Sequence, residues 1–451
     1  MNKETRIEKI SKILEQKPYA QKEIMWQDSL VVMPVYKVPL KYLLYNKYNG
    51  RILSRTQSLE AQGTDLHPEE EHDKKIIEGL LWDSKPDRNK KTKNDLELHG
   101  QKEIGIITRD GIIIDGNRRA MLLNKIDKYD YFKAVILPVT LEQNPLEIEK
   151  LETSYQMGED EKLGYNPIEK YIKVKNLEKK GITTQEISDW MGENESTIRD
   201  YLSVMKTMDD YLDYLQYHGI YTQLDGREDQ FINLTKWLNT FYGEGSTKAF
   251  DGYKDDDVDD LRLIGYDYIR IKYEGKKFRQ LGYGLKDKHI FGNKEVWYSF
   301  RDKHFEYIEP IMDDEGTPNI DTVNIEATLN ARDNDFKERT EKFMDDNLDE
   351  HYTQIRYKQA QDEPKKLVKN ATRAVQSINR KNLSKPEVIE ELSVLRNEIS
   401  NIIHNKSEEK NLEYILELLA NFDIAKVENK DFAEELLRQI NKLSFDIKKS
   451  L

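Results

Sequence analysis

The segment that most constrains this chain is residues 115–119, whose sequence is Asp-Gly-Asn-Arg-Arg and which lies between two apolar runs. This pattern predicts a strand, a tight turn and the start of a helix. Gly116 suits a left-handed turn or the close approach of a ligand, and Asn117 is a favoured N-cap residue. The first-turn N–H groups and two arginines together predict an anion site. The alternative is a buried strand-turn-helix whose arginines pair with nearby carboxylates.

A second pattern, at residues 184–201, has the spacing of core and turn residues that is typical of a helix-turn-helix. Ile187 and Met191 are spaced as core positions of a first helix. Gly192 suits the turn, and Ile198 is a core position of the second helix. The spacing therefore predicts two short helices that pack on each other.

Another helix is predicted between these two patterns. Asn166 is its expected N-cap, and Pro167 occupies the first helical position, where its missing N–H costs nothing. Glu169 completes a capping-box-like pattern, and Gly181 is the expected stop signal.

The order of these parts resembles the ParB family, in which a ParB/sulfiredoxin-like N-terminal domain precedes a helix-turn-helix. The resemblance extends over about residues 30–208 and depends on the order of the motifs more than on any one of them. The matching segments are 38–40, 49–51, 99–104, 116–119, 166–169 and the helix-turn-helix itself.

The resemblance implies that the chain binds a nucleoside triphosphate, CTP or ATP with CTP favoured, together with Mg²⁺. It places Glu152 in the poorly matched metal-binding box as the candidate magnesium ligand. The family's hydrolytic glutamate is Asn117 here, and an amide cannot act as a base. Sulfiredoxin chemistry is excluded because the chain has no cysteine. The nucleotide-binding residues implied are Gly100, Gln101, Gly116, Asn117, Arg118 and Arg119.

Two other functions stay open at this point. Defence enzymes with similar Asp-Gly-Gln-Gln-Arg motifs hydrolyse nucleotides or cut DNA, and a ParB-fold effector of phage defence is therefore an alternative. Asp115 is the candidate acid, base or metal ligand for such an enzyme. The second alternative is a non-enzymatic adaptor whose C-terminal helices recruit a partner protein.

DNA contact is predicted through the second helix of the helix-turn-helix. The net charge of −13 argues against DNA binding over the whole surface, so a local cationic face is required. Glu195 and Asp200 lie in that helix, and a helix-turn-helix that only packs against protein is the alternative. The residues predicted to contact DNA are Ser196, Thr197, Arg199 and Lys206.

Length and composition predict a cytoplasmic protein of several domains, without membrane contact. The ParB resemblance and the element patterns imply that the fold class is α+β. No apolar run approaches the roughly 20 residues that cross a bilayer, and the charged N-terminus does not read as a signal peptide. The predicted domains are a ParB/sulfiredoxin-like nucleotide-binding domain (30–140), an all-helical helix-turn-helix domain (141–215), an aromatic-rich α+β region (216–320) and a helical bundle or oligomerisation region (321–451).

Local patterns predict further elements. A helix is expected at 4–15, a hairpin at 104–115, a strand at 135–140, and loops at 84–94 and 255–260.

Two later regions each leave a choice open. The aromatics of residues 216–315 suit base stacking or a protein core, and the core is favoured. The three apolar helix faces near the C-terminus suit one bundle or a homodimer.

Overall fold

A computed structural model describes residues 1–158, 166–242, 246–319, 324–360, 364–379, 385–404 and 408–450. Its architecture is mixed α+β, with one five-stranded sheet near the N-terminus and helices through the rest of the described chain. The chain divides into the units Met1–Gln361 and Asp362–Leu451. The strands are β1 (Ala20–Trp26), β2 (Ser29–Pro39), β3 (Gly105–Ile107), β4 (Ile113–Asp115) and β5 (Tyr131–Ile136).

The helices of the first unit flank the sheet and then form a helical region. Those around the sheet are α1 (Lys3–Leu14), α2 (Leu53–Ala61), α3 (Glu71–Asp83), α4 (Pro86–His99), α5 (Asn117–Leu123) and α6 (Pro145–Thr153). Those of the helical region are α7 (Pro167–Lys179), α8 (Thr184–Met191), α9 (Glu195–Tyr214), α10 (Glu228–Tyr242), α11 (Asp255–Arg270), α12 (Gly275–Phe278), α13 (Lys294–Glu315) and α14 (Ile325–Ala360).

The sheet has the strand order β1-β2-β5-β3-β4. β3 and β5 are parallel, and the other neighbouring pairs are antiparallel. The predicted hairpin at 104–115 is confirmed as the β3–β4 pair. The predicted strand at 135–140 overlaps β5, which begins and ends four residues earlier.

The sheet is covered on both faces at β5, whose successive residues point to opposite sides. On β5, Phe132 and Ala134 pack into one apolar cluster with α1, α3, α4 and α5. Val135 packs into a second cluster on the opposite face, with Ile148 and Leu151 of α6. The turn between β4 and α5 therefore begins at the end of a fully covered strand.

The helix-turn-helix geometry is present at α8 and α9, which are joined by a left-handed Gly192. Ile187, Met191 and Ile198 are buried, as predicted. Asn166 caps α7 as expected. The capping-box role predicted for Glu169 is wrong, because its carboxylate binds another helix.

The α+β structure predicted for residues 216–320 is wrong for the described part of that region, which contains helices and no strand. Its aromatic residues form a protein core, as favoured. The β-branched and aromatic run at residues 268–273 is not a strand: its first three residues end α11 and the rest form the following turn, because packing overrides local strand preference. The acidic run 255–260 is not a loop but the start of α11, where carboxylates complement the helix dipole.

The loop predicted at 84–94 is also wrong, since these residues lie mostly in α4. Its helical register is set by two buried residues, Asn89 and Leu96, that interrupt an otherwise charged sequence. Asn89 donates hydrogen bonds to the carbonyls of Leu81 and Trp82 at the end of α3.

The second unit is helical, as predicted, with α15 (Pro364–Ser377), α16 (Pro386–His404), α17 (Glu408–Ala420) and α18 (Lys430–Ser450). None of its described side chains is buried, so the three apolar faces do not form a closed bundle there. Within the described residues of the chain, no helix combines the length and apolar character required to cross a bilayer.

Candidate functional site

The turn between β4 and α5 has a backbone conformation that favours glycine. Gly116 occupies the N-cap position with φ +101°, and a Cβ there would lie 2.7 Å from Cζ of Phe132. The N-cap role predicted for Asn117 is therefore wrong, because Asn117 is the first residue of the helix. Since α5 has only seven residues, charged side chains must supply most of the attraction for an anion.

A cavity of ≈ 380 Å³ opens beside this turn, and its volume lies in the usual range for small-molecule sites. Gly116, Asn117, Arg118 and Arg119 all line it, so the structure brings four of the six predicted nucleotide residues together. The other lining residues are Lys22, Asn49, Arg51, Thr92, Glu103, Ile104, Asp115, Tyr155 and Gln156.

Gly100 and Gln101 are not among the residues that line the cavity. Gly100 ends α4 with a left-handed conformation. The Gln101 side chain accepts a hydrogen bond from the Lys133 N–H and donates to the carbonyls of Glu103 and Lys133. Gln101 therefore fastens the segment that precedes β3 to strand β5. The neighbouring Glu103 and Ile104 line the cavity instead.

Among the residues that the structure describes, those lining the cavity carry more positive than negative charge. Its four basic side chains are Lys22, Arg51, Arg118 and Arg119, against the carboxylates of Glu103 and Asp115. Arg119 donates to Asp115 across 2.6 Å, in an ion pair that is partly exposed. Asp115, the candidate catalytic residue, is thus engaged by a guanidinium one helical turn away.

Lys22 and Arg51 enter the site from distant parts of the sequence. Lys22, on edge strand β1, donates to the Ile104 carbonyl at 2.9 Å and lies over the Tyr155 ring. Arg51 ends the loop of residues 46–51, which precedes α2. Neither residue was among the predicted nucleotide-binding residues. Segment 49–51 matches the ParB pattern and so contained a signal for Arg51, whereas nothing in the local sequence marks Lys22.

The 46–51 loop is fastened to the turn by amide side chains. Asn117 accepts a hydrogen bond from the Asn46 N–H at 2.9 Å and donates to the Ile113 carbonyl at 3.0 Å. Gln156 accepts from the Gly50 N–H at 2.9 Å and donates to the Ile114 carbonyl at 3.1 Å. These two buried amides therefore set the position of Arg51 relative to the turn.

Glu152 lies beneath this loop and is buried. Its Oε1 accepts hydrogen bonds from Asn46 at 2.8 Å and Gln156 at 2.9 Å. Its Oε2 lies 3.6 Å from Nζ of Lys173, which is also buried. Burial raises the pKa of Glu152, although the Lys173 charge opposes that shift.

This environment does not fit the magnesium-ligand role predicted for Glu152. Magnesium needs carboxylate oxygens that face the ligand, and Glu152 instead serves two amides and a buried ammonium group. Among the residues that the structure describes, no three histidine or acidic side chains gather into a metal site.

Glu169 supports the same loop from the helical region. Its carboxylate accepts hydrogen bonds from the Ser54 N–H at 2.8 Å and the Ser54 hydroxyl at 2.6 Å, in the first turn of α2. No side chain of α2 caps its own N-terminus, so α7 supplies this cap. Burial raises the pKa of Glu169 from 4.5 to about 7, against the lowering effect of the Ser54 hydrogen bonds.

The raised pKa of Glu169 predicts a pH-dependent stability. A carboxyl group whose pKa is higher in the folded state stabilises the fold below pH 4.5, and this contribution disappears as the pH rises to about 7. The free energy of unfolding of the wild type should fall by about 3 kcal/mol relative to Glu169→Gln across this window. Urea unfolding at several pH values measures the difference.

The exposed Glu97→Gln substitution in α4 is the control for this experiment. Its profile should run parallel to that of the wild type. Parallel profiles for wild type and Glu169→Gln would contradict the assignment of the pH dependence to Glu169.

The residues predicted to contact DNA lie on α9. Ser196, Arg199 and Lys206 are exposed, and Thr197 is half-buried. Arg199 is paired with Glu195 at 2.6 Å, and Glu195 also accepts a hydrogen bond from Thr184. The pKa of Glu195 is lowered by these hydrogen bonds, so a DNA phosphate would compete with an ionised carboxylate for Arg199.

Neither models of known protein families nor curated protein sequences give a match to this chain.

Proposed function

We propose that this protein binds a nucleoside triphosphate, with CTP preferred, in the cavity beside Gly116. The observation that carries the proposal is the convergence of four basic side chains from three separate segments on one cavity: Lys22, Arg51, and the pair Arg118 and Arg119. Guanidinium and ammonium groups are the usual partners of phosphate oxygens. The resemblance to the ParB family supplies the choice of CTP.

The position of the cavity supports the nucleotide class. A left-handed glycine lets the backbone approach a ligand closely, and here the two arginines follow it after Asn117 in the first turn of α5. The buried amides of Asn117 and Gln156 hold the turn and the 46–51 loop in place before a ligand arrives. Such preorganisation lowers the entropic cost of binding.

We propose binding without hydrolysis, in preference to the effector enzyme. Asn117 occupies the position of the family's hydrolytic glutamate, and its amide is committed to Asn46 and Ile113. Asp115, the other candidate base, is engaged by Arg119. Neither side chain is set to accept a proton from an attacking water.

Titration of radiolabelled CTP, ATP and GTP onto the full chain tests this proposal. We expect saturable binding, tightest for CTP, with no release of phosphate and no cleavage of plasmid DNA. Absence of binding by all three nucleotides would remove the proposal. Phosphate release or DNA cleavage would instead support the alternative function, that of an effector enzyme.

We further propose that α8 and α9 bind DNA, with Arg199 as a phosphate contact. The exposed Ser196, Arg199 and Lys206 on one helix of a helix-turn-helix support this proposal. The adaptor alternative predicts no DNA affinity at all.

The substitution Arg199→Ala should weaken binding of a mixed-sequence DNA duplex and reduce the salt dependence of binding. Loss of one phosphate contact lowers the slope of log affinity against log salt by about 1. Fluorescence anisotropy over a range of NaCl concentrations measures this slope. Lys128→Ala, an exposed lysine next to the sheet, is the control. An unchanged slope for Arg199→Ala would count against the assignment.

A further inference from the structure

Tyrosine and lysine side chains share one face of the sheet, next to the part of that face that α6 covers. Lys37 of β2 lies opposite Lys133 of β5 in the strand register, and Tyr131 lies two residues before Lys133. Because alternate residues of a strand point to the same side, Tyr131 and Lys133 share the face on which Val135 packs with α6. Lys37 is exposed, whereas Tyr131 and Lys133 are half-buried.

Tyr19 completes this group from the position just before β1. Its backbone N–H donates to the Val35 carbonyl of β2 at 2.8 Å, and its side chain is 51% exposed. Nζ of Lys37 lies 5.0 Å from the centroid of the Tyr19 ring, and Nζ of Lys133 lies 4.6 Å from it. Nζ of Lys37 also lies 4.7 Å from the centroid of the Tyr131 ring. We name Tyr19, Lys37, Tyr131 and Lys133 the tyrosine–lysine platform.

Contacts outside the platform hold two of its side chains in place. Nζ of Lys133 donates to the Gln101 carbonyl at 3.0 Å. The Tyr129 ring meets the Tyr131 ring edge-on, with centroids 6.4 Å apart. Lys133 and Tyr131 are therefore positioned before a ligand arrives, which lowers the entropic cost of binding.

The chemistry of the platform matches that of a single nucleic-acid strand. Tyrosine rings stack on bases of any sequence, and lysine ammonium groups pair with phosphates. A single strand presents an unpaired base and a phosphate at every nucleotide, whereas the bases of a duplex are paired and stacked on one another. Each ring of the platform has an ammonium group within 5.0 Å of its centroid. A base stacked on either ring therefore carries its phosphates close to an ammonium group.

We propose that the tyrosine–lysine platform binds a single strand of nucleic acid, with bases stacked on its two rings and phosphates paired with its two ammonium groups. The platform shares no residue with the lining of the nucleotide cavity or with α9. It also places basic side chains together on a chain whose net charge is −13. The inference goes beyond the proposed function, because it depends neither on CTP binding nor on a duplex contact of Arg199.

The test measures binding of a fluorescein-labelled dT strand of about 20 nucleotides to the full chain by fluorescence anisotropy at low salt. An abasic strand of the same length, which has the phosphates but no bases, is the matched probe. We expect the dT strand to bind about tenfold more tightly or better, because stacking adds to the phosphate contacts. Equal affinities for the two strands, or no binding of either, would overturn the inference.

Variants of Tyr19 connect the result to the platform. Tyr19→Ala should weaken binding of the dT strand by about fivefold or more, and Tyr19→Phe should retain the affinity because the ring remains. Tyr283→Ala is the matched control, since Tyr283 is 47% exposed and Cζ of Arg279 lies 5.6 Å from its ring centroid, in the helical region. Equal affinities of Tyr19→Ala and Tyr283→Ala would overturn the stacking role of Tyr19.

The salt dependence of binding tests the phosphate contacts. Lys37→Ala should lower the slope of log affinity against log salt by about 0.7, the value for one phosphate contact with a single strand. Arg119→Ala and Arg199→Ala should bind the dT strand as the wild type does, which separates the platform from the nucleotide cavity and from α9. Loss of binding in either arginine variant, with an unchanged slope for Lys37→Ala, would overturn the inference.

Discussion

The substitution Arg119→Ala is expected to reduce CTP affinity by about 2–5 kcal/mol, or roughly 30-fold to 5,000-fold. Two effects combine in this loss. One guanidinium disappears from the cavity, and the Asp115 carboxylate, now held 2.6 Å from Arg119, is left facing the phosphates. Isothermal titration calorimetry with CTP measures the change.

A double variant separates the two effects. Asp115→Asn combined with Arg119→Ala removes the uncovered negative charge, and about tenfold of the lost affinity should return. Arg109→Ala is the matched control, since Arg109 lies in the turn of the same hairpin but not in the cavity lining. If Arg119→Ala binds CTP as tightly as Arg109→Ala does, Arg119 has no part in the site.

The substitution Glu152→Ala is expected to lower the free energy of unfolding by about 3–5 kcal/mol. It leaves the amides of Asn46 and Gln156 without their shared acceptor. It also removes one of the two carboxylates near the buried Lys173. Burial alone would lower the pKa of Lys173, but attraction to Glu152 and Glu149 raises it, so the ammonium group stays charged inside the protein. Urea unfolding followed by circular dichroism measures the loss.

Glu142→Ala is the control for this prediction. Glu142 also pairs with a lysine, at 2.7 Å, but its side chain is 80% exposed, so little stability should be lost. Glu152→Gln should lose less than Glu152→Ala because one oxygen acceptor remains. In the alanine variant, trypsin should cleave more readily after Lys47 and Arg51, since the 46–51 loop loses its anchor. A loss below about 1 kcal/mol with unchanged cleavage would contradict the structural role of Glu152.

Much of the cavity was predictable because its central turn is encoded locally. A glycine between an apolar strand and a helix start predicts a left-handed turn, and the structure has Gly116 at φ +101°. The match of segment 49–51 to the family pattern contained a similar local signal for Arg51, although Arg51 was not predicted as a site residue. In both cases a few adjacent residues carry the signal.

The other half of the cavity depends on tertiary contacts that no local pattern records. Lys22 is positioned by the pairing of β1 with β2. The alternating burial of β1 is not recognisable from its sequence, because several of its residues are charged or polar. The sequence of α4 resembles a basic loop because it lacks an apolar helical face. Its two buried residues are the polar Asn89 and a single leucine, Leu96. Gln156 is recognisable only from the two backbone groups that it joins.

The mixed α+β character was predicted correctly, whereas the middle region was assigned strands that it lacks. Its aromatic residues favour strands individually, yet Phe231 of α10 and Tyr266 of α11 lie in helices, and both contact the ring of Tyr211 in α9. Ring packing of this kind depends on helix placement and not on local preference.

Helix α2 connects the sheet to the helical region of the first unit. Its N-cap residue, Ile52, directly follows Arg51. Its first turn is held by Glu169, and Arg55 forms an ion pair with Asp225 in the helical region. Because α2 is a short helix held at these points, a displacement of Arg51 by a ligand would also strain the contacts with Glu169 and Asp225. We therefore expect anion binding at Arg51 to be coupled to the contacts of α2 with the helical region, and any such coupling is reciprocal.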